Sequence, residues 1–192
     1  MNNQANSLKM LGDFESSKIL YEQILRINPN YIKAYNNYAN LKTTINDYDG
    51  AIELYKKALL LIKKNNEETS NLNSIGLLFS LAAAYQSINK ILESKKIIKE
   101  ILDIDSTHAG AHKLLSSIIK YSYEDKNSIK HLNKMEALNN DKDLIFEKKI
   151  DISFALGKSY EDLKDYEKAF RHLNEGNDLR FNKFGSNLEN EI

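Results

Sequence analysis

Two histidines at helical spacing are the first candidates for chemistry, because imidazole is a common metal ligand and changes charge near neutral pH. His108 and His112 lie four residues apart, which can place both rings on one face of a helix for a metal ion. No third ligand lies nearby, His108 falls where a helix should begin, and His112 falls at a predicted packing position. We therefore expect no metal site and no cofactor.

Other catalytic patterns are missing from the sequence as well. Cysteine is absent, which excludes disulfides, thiolate metal sites and a cysteine nucleophile. The carboxylate pairs Glu67/Glu68 and Glu161/Asp162 are interpreted as solvated charge, since nothing ties them to a nucleophile. No glycine stands in a Gly-x-x-x-x-Gly-Lys arrangement that could cradle phosphate. We expect a chain that is not an enzyme and has no catalytic residue.

Composition narrows the class of protein and its partners. The 192 residues include 27 basic and 27 acidic side chains, so no net charge attracts nucleic acid or an anionic membrane surface. No stretch approaches eighteen consecutive apolar residues, and the amino terminus lacks the basic and apolar regions of a signal peptide. We expect a soluble cytoplasmic protein. A single proline among long runs of helix-forming residues predicts an all-helical chain.

A short motif recurs four times along the chain, first at an interval of 34 residues. Residues 12–17 are echoed 34 residues later at 46–51, and the same pattern returns at 89–94 and 164–169. Small and large residues such as Ala51, Tyr55 and Ala58 follow at helical spacing, which lets paired helices approach closely. This period resembles the tetratricopeptide repeat (TPR) family. The resemblance implies an all-α fold, a right-handed α-solenoid of about five helix pairs.

The repeat predicts element boundaries along the whole chain. Helix pairs are expected at 1–11 with 14–28, 31–45 with 48–63, 70–88 with 91–104, 107–121 with 125–138, and 143–163 with 166–181. A solenoid over 1–181 would then contain units near 1–31, 32–65, 70–108, 109–142 and 143–181. Polar residues 63–71 form one insertion, and residues 143–149 a second one that should lengthen a helix.

The carboxyl end resembles the start of another helix. Ser186 and Glu189 have the Ser-x-x-Glu form of a capping box, so 182–192 is expected to begin a truncated or capping helix. We also expect the native protein to continue past Ile192.

The fifth unit carries a more specific phrase, from Phe154 through Arg180. It is similar to the last repeat before the catalytic domain of bacterial TPR-containing sulfotransferases, in particular at the Gly176-Asn177 step followed by Arg180. In that family a phosphate-cradling loop follows, and no such loop occurs here. The resemblance implies a substrate-docking helical module whose catalytic domain is absent.

In a TPR stack the first helices line a concave groove, so residues on their inner faces are the predicted binding site. For the first two units these are asparagines, whose amides can hydrogen-bond the backbone of an extended peptide without selecting its sequence. The excess of asparagine could equally reflect an AT-rich genome. The predicted peptide-binding residues are Asn3, Asn6, Asn36, Asn37, Asn40, Phe79, Gln86, Lys113, Lys120, Tyr121 and Lys158.

The later part of that groove is expected to be apolar and basic, and thus suited to an acidic or aromatic peptide. The chaperone-binding clamp of some TPR proteins is disfavoured, because Phe79 and Ala83 stand where it requires cations. The alternatives are a passive assembly scaffold that binds through its outer face and, less favoured, part of an active sulfotransferase. No oligomeric state is predicted.

Two further sets of side chains are assigned to packing. His131 and His172 occupy equivalent places on second helices, which indicates a repeated surface or packing role. The tyrosines predicted to lie in the core are Tyr21, Tyr38, Tyr55, Tyr85, Tyr160 and Tyr166.

Overall fold

The computed structural model describes residues 1–64 and 70–184, and these residues form ten α-helices and no strand. The helices are α1 Asn2–Met10, α2 Phe14–Ile27, α3 Ile32–Thr44, α4 Tyr48–Lys64, α5 Ser70–Ser87, α6 Ile91–Ile104, α7 Ala109–Ile118, α8 Lys126–Asn139, α9 Phe146–Asp162 and α10 Tyr166–Phe184. The predicted capping box at Ser186, the pair Glu67/Glu68 and most of the first insertion lie outside the described residues. The prediction of an all-helical chain is confirmed.

Helix α10 ends at Phe184, three residues beyond the prediction, and two other helix boundaries fall three residues inside the predicted range. Helix α7 ends at Ile118, not at residue 121, because the backbone of Ile119 is extended. Helix α9 begins at Phe146, not at residue 143, because the Asp141 carboxylate accepts the Asp143 backbone N–H and holds a turn. The second insertion therefore lengthens α9 only in part.

The turns within four helix pairs share one backbone conformation, in which a single residue has a positive φ. These residues are Gly12, Asn46, Asn89 and Lys164, and they are the first residues of the four recurring motifs. Glycine and asparagine tolerate this left-handed conformation best, so the motif encodes the turn. In three of the four, an aspartate follows and accepts a backbone N–H of the next helix: Asp13 from Ser16, Asp47 from Gly50 and Asp165 from Lys168.

The chain divides into two compact units, Met1–Ile104 and Asp105–Ile192. In the first unit, large buried side chains such as Tyr21 and Tyr55 pack beside small ones such as Ala51. Close helix approach also brings the Ser17 hydroxyl within 2.8 Å of the Ala5 carbonyl, to which it donates. Ser94 donates in the same way to the Ala82 carbonyl, at 2.9 Å. The repeat thus supplies both apolar packing and a recurring buried hydrogen bond.

The second unit has its own apolar core, which includes Met135, Ile152, Leu156 and Tyr160. Five of the six predicted core tyrosines are buried. Tyr166 was wrongly placed, since its side chain is 66% exposed. It is the first residue of α10, one turn before the buried Ala169.

Within the described ranges, no helix is both long enough and apolar enough to cross a membrane.

Candidate functional site

The predicted asparagines lie on α1 and α3, the first helices of the first two pairs. Both helices bury small residues on one side, Ala5 on α1 and Ala39 on α3, and this leaves polar side chains at the surface. Asn3 is exposed, whereas Asn6, Asn36, Asn37 and Asn40 are half-exposed. We name these five residues the asparagine surface.

Two of these positions are linked across neighbouring helices. The Asn37 Nδ2 on α3 donates to the Asn2 Oδ1 on α1 at 3.2 Å. This bond leaves the Asn37 Oδ1 and one amide hydrogen available, because an amide offers two donors and two lone pairs. Asn36 makes no side-chain hydrogen bond to the described part of the chain. Among the described residues, solvent-accessible amide donors and acceptors without a protein partner thus lie on adjacent helices.

The other two half-exposed asparagines contact buried tyrosines of their own helix pairs. The Tyr21 hydroxyl donates to the Asn6 Oδ1 at 2.5 Å, and the Tyr55 hydroxyl donates to the Asn40 Oδ1 at 2.6 Å. Burial raises the pKa of both tyrosines, so they stay protonated donors. Replacing Asn40 with alanine would therefore remove the acceptor of the Tyr55 hydroxyl proton, and the effect would not be confined to the surface.

Two predicted groove residues lie on α5 in the same unit. Phe79 and Gln86 are half-buried and seven residues apart, a spacing that places them on one helical face. Ser80, next to Phe79, hydrogen-bonds the Tyr55 hydroxyl. Their part in binding stays a prediction.

Lys113 in the second unit is exposed, as predicted for a groove residue, but its positive charge is offset by an ion pair. Its Nζ lies 2.7 Å from the Asp151 carboxylate and 5.6 Å from the centre of the Phe154 ring. The structure therefore brings Lys113 and Phe154 together, as an apolar and basic surface requires, but Asp151 offsets the positive charge. Lys120 is exposed and has no ion pair among the described residues.

Lys158 and Tyr121 were predicted as groove residues, and the structure gives both a different role. Tyr121 is 2% exposed, so it cannot present its side chain to a peptide. Lys158 donates to the Ile119 carbonyl at 2.5 Å and to the Asp162 carboxylate at 2.5 Å. Asp162 in turn accepts the Tyr121 backbone N–H at 3.0 Å. Together these bonds hold the extended segment after α7 against α9.

A buried chain of hydrogen bonds continues from Tyr121 into the core. Its hydroxyl lies 2.5 Å from the His131 Nδ1, and the His131 Nε2 lies 2.8 Å from the His112 Nδ1. The His112 Nε2 lies 2.9 Å from the Ser106 carbonyl oxygen. Burial lowers the pKa of His112 and lowers the pKa of His131 to about 3. Both rings are therefore neutral near pH 7.

This network was missed by sequence reasoning, although a packing role was assigned to two of the histidines. His131 and His172 are indeed buried, which confirms packing over surface exposure. The contact between His131 and Tyr121 depends on the early end of α7, and no proline or glycine in the sequence marks that end.

The positions of the histidines also bear on the metal hypothesis. The His108 Nδ1 accepts the Ala111 backbone N–H at 3.0 Å and caps α7, while the His112 ring faces His131. In residues 1–64 and 70–184, no group of three or more His, Asp or Glu side chains is placed to hold a metal ion.

A groove on the outer face of α8 also escaped the sequence analysis. It has a volume of about 550 Å³. Lys126, Lys130 and Lys134 follow one another at four-residue spacing along it, and none makes an ion pair within the described ranges. Like charges at this spacing repel one another, so an acidic partner would be favoured there. The lining residues, which we name the α8 groove, are Tyr123, Lys126, Ile129, Lys130, Asn133, Lys134 and Ala137.

Comparisons with known proteins agree with the helix pairs and their turns. A family model described as Tetratricopeptide repeat matches residues 20–53, and a second model with the same description matches residues 1–31 and 150–183. The chain contains tetratricopeptide repeats. The matched ranges include the left-handed turns at Gly12, Asn46 and Lys164.

Three solved structures have a similar fold. YrrB, described as a TPR protein with an unusual peptide-binding site, matches with a TM-score of 0.63 at 15% identity, over 100% of this chain and 90% of its own. A putative kinesin light chain of Podosopora anserina matches with a TM-score of 0.71 at 12% identity, over 95% and 94%. MamA matches with a TM-score of 0.62 at 18% identity, over 93% and 95%. The fold is an all-α TPR solenoid.

One curated relative shares part of the sequence. The uncharacterized protein ycf37 of Pyropia yezoensis is 42% identical over 74 residues, which is 35% of this chain. The match spans 40% of that relative's length.

Proposed function

We propose that this TPR chain holds an extended peptide, or an extended segment of a partner protein, against the asparagine surface of α1 and α3. The observation that carries the proposal is the group of half-exposed amides on two adjacent helices, whose donors and acceptors are in part without partners among the described residues.

Amide side chains suit a peptide backbone because each offers both a donor and an acceptor. A peptide bound through its backbone needs no particular charge, which fits a chain with 27 basic and 27 acidic residues. Each hydrogen bond exchanged with water contributes about 0.5–1.5 kcal/mol net, so four or more such bonds support measurable binding. The fold shared with YrrB is compatible with a peptide ligand.

The test uses a peptide selected on the purified chain from a random library of twelve-residue peptides. Titration calorimetry then compares the wild type with the double variant Asn36→Ala and Asn37→Ala, since neither side chain accepts a hydrogen bond from a buried tyrosine. We expect binding to weaken at least tenfold. A matched control replaces Asn174 and Asn177, which are exposed on α10, and should leave affinity unchanged. Equal affinity of all three proteins, or no selected binder, would overturn the proposal.

The α8 groove favours a second candidate, an assembly scaffold that docks an acidic segment on its outer face. Three lysines, which make no ion pair with any residue that the structure describes, form a row beside the apolar side chains of Ile129 and Ala137 and the exposed Tyr123. Such a surface matches a partner with alternating acidic and apolar residues.

Charge reversal separates this candidate from the first. Replacing Lys126, Lys130 and Lys134 with glutamate should abolish binding of an acidic partner and remove its dependence on salt. The matched control reverses three exposed lysines elsewhere, Lys57, Lys96 and Lys99. If the selected peptide loses affinity equally in both variants, the effect is one of net charge and the α8 groove is not its site.

The sulfotransferase link and the cytoplasmic location stay proposals that rest on the sequence. The phrase from Phe154 to Arg180 supports the first, and none of the similar proteins named above is described as a sulfotransferase. Expression of the full reading frame followed by an assay for sulfate transfer tests it. Transfer by the longer protein but not by residues 1–192 would support a docking module, whereas no transfer by either would contradict the link.

A further inference from the structure

One hydrogen bond, from a tyrosine to an asparagine, occurs twice at the 34-residue spacing of the repeat. Asn6 and Asn40 are 34 residues apart, as are Tyr21 and Tyr55, and each tyrosine donates to its asparagine across one helix pair at 2.5 and 2.6 Å. Both tyrosines are almost completely buried, at 0% and 1% exposure, whereas both asparagines are half-exposed. The pair therefore connects the core to the asparagine surface.

The hydrogen bond fixes which end of the amide meets the tyrosine. A tyrosine hydroxyl has one proton to donate, and the amide oxygen accepts it, so the amide nitrogen lies on the other side of the group. At Tyr55 the hydroxyl oxygen is also hydrogen-bonded by Ser80, which leaves the tyrosine proton for Asn40. The Nδ2 atoms of Asn6 and Asn40 have no partner within the described residues and are not buried, so their donors face solvent.

The matching position of the fifth repeat shows what a donor at this place does. Lys158 lies eleven residues before Ala169, as Asn40 lies eleven before Ala51. Its Nζ donates to the backbone carbonyl of Ile119, whose conformation is extended. In the second unit, a donor at this position thus already binds the carbonyl of an extended segment, supplied by the chain itself.

We infer that Tyr21 and Tyr55 are positioning residues that turn the Asn6 and Asn40 amides so that their N–H groups meet backbone carbonyls of the bound segment. The inference rests on the proposed peptide-binding function and specifies the chemistry of its ligand. Packed helices lie about 8–10 Å apart. A polyproline-II segment presents equivalent carbonyls every three residues, about 9 Å, and leaves them without internal partners. The ligand class is therefore an extended segment of polyproline-II conformation.

The experiment titrates ¹⁵N-labelled protein with a capped nonaproline, a probe that offers carbonyl acceptors and no proline N–H. The side-chain NH₂ signals of Asn6 and Asn40 should shift and saturate. The double variant Tyr21→Phe and Tyr55→Phe keeps the rings and loses the hydroxyls, and it should bind at least fivefold more weakly. The control Tyr166→Phe, at an exposed position, should bind like the wild type.

A second variant guards against a folding defect. Asn6→Asp with Asn40→Asp keeps an acceptor for each tyrosine and removes the N–H donors, so it should fold and lose probe binding. Unchanged affinity of either double variant would overturn the inference. If the probe shifts the Asn36 and Asn37 signals but not those of Asn6 and Asn40, the inference fails and the proposed function survives. If no asparagine signal moves at millimolar probe while the library peptide still binds, the inference also fails, and the proposed function is then decided by the library peptide and the Asn36 and Asn37 variant alone.

Discussion

The Nδ1 of His112 and the Nε2 of His131 lie 2.8 Å apart in the core of the second unit. The Ser106 carbonyl can only accept, so the Nε2 of His112 carries the proton and its Nδ1 must accept from His131. The Nδ1 of His131 is then an acceptor for the Tyr121 hydroxyl. One backbone carbonyl thus determines the tautomer of both neutral rings.

This arrangement predicts a loss of stability in weak acid. The unfolded chain protonates its histidines near pH 6.5, whereas burial holds the folded-state pKa of His131 at about 3. Below pH 6.5 the unfolded state binds more protons, so the free energy of unfolding falls, by about 2 kcal/mol at pH 5 from His131 alone. Urea denaturation at pH 7 and pH 5 measures it. Equal free energies of unfolding at the two pH values would contradict the network. So would NMR shifts typical of imidazolium for His112 and His131 at pH 6.

Lys158 is predicted to stabilise the folded chain, whereas an exposed lysine without such contacts is not. Lys158→Met removes the donor to the Ile119 carbonyl and one of the two donors to the Asp162 carboxylate, which should cost about 1–3 kcal/mol and expose residues 119–124 to proteolysis. Lys120→Met, at an exposed neighbouring site, is the control and should change little. Equal melting temperatures of the two variants would show that the segment is held by other contacts.

Ala51, a small residue in the second helix pair, should not tolerate replacement by a larger side chain. Ala51 is 0% exposed and packs in the core with Ala39 and Tyr55. Ala51→Leu should destabilise the chain by about 1–3 kcal/mol through overpacking. Ala137→Leu places the same side chain at an exposed helical site and serves as the control. Comparable denaturant midpoints for both variants would mean that the helices do not approach closely at Ala51.

Two helical glycines are predicted to respond in opposite directions to alanine. A Cβ at Gly157 would lie 2.6 Å from the Leu173 side chain, so Gly157→Ala should destabilise unless that leucine moves. A Cβ at Gly76 meets nothing within 4 Å, and Gly76→Ala should stabilise α5 by about 0.5–1 kcal/mol. Thermal melts of the two variants check the sign of each change. Stabilisation by Gly157→Ala would show a looser contact between α9 and α10.

The fold was predictable because short local motifs specify the turns and helix starts of the repeat. The motif beginning at Gly12 and Asn46 combines a residue that tolerates positive φ with a helix-capping aspartate, so one short sequence specifies a turn and a helix start. The end of α7 was not predictable, because Ile119 and Tyr121 continue the helical pattern and only tertiary bonds from Lys158 and His131 interrupt it. The residues around Ile119 and Tyr121 do not indicate which distant side chains will bind them.

The candidate site was predictable in part for the same reason. The position of Asn36 and Asn37 on α3 followed from the repeat, since each repeat places the same residues on the same face. The bond between Asn40 and Tyr55 joins two repeat positions, and the spacing alone did not indicate it. The lysines from Lys126 to Lys134 form no ion pair within the described ranges, and the charge count of a sequence cannot show this.

The central claim, that α1 and α3 hold the peptide, is tested most directly by a spin label attached to the library-selected peptide. In ¹⁵N-labelled protein the label should broaden the side-chain NH₂ signals of Asn36 and Asn37 and leave Asn133, in the α8 groove, sharp. A reduced, diamagnetic label is the control and should restore all signals. Broadening of Asn133 with sharp signals from Asn36 and Asn37 would contradict the account and place the peptide on the outer face.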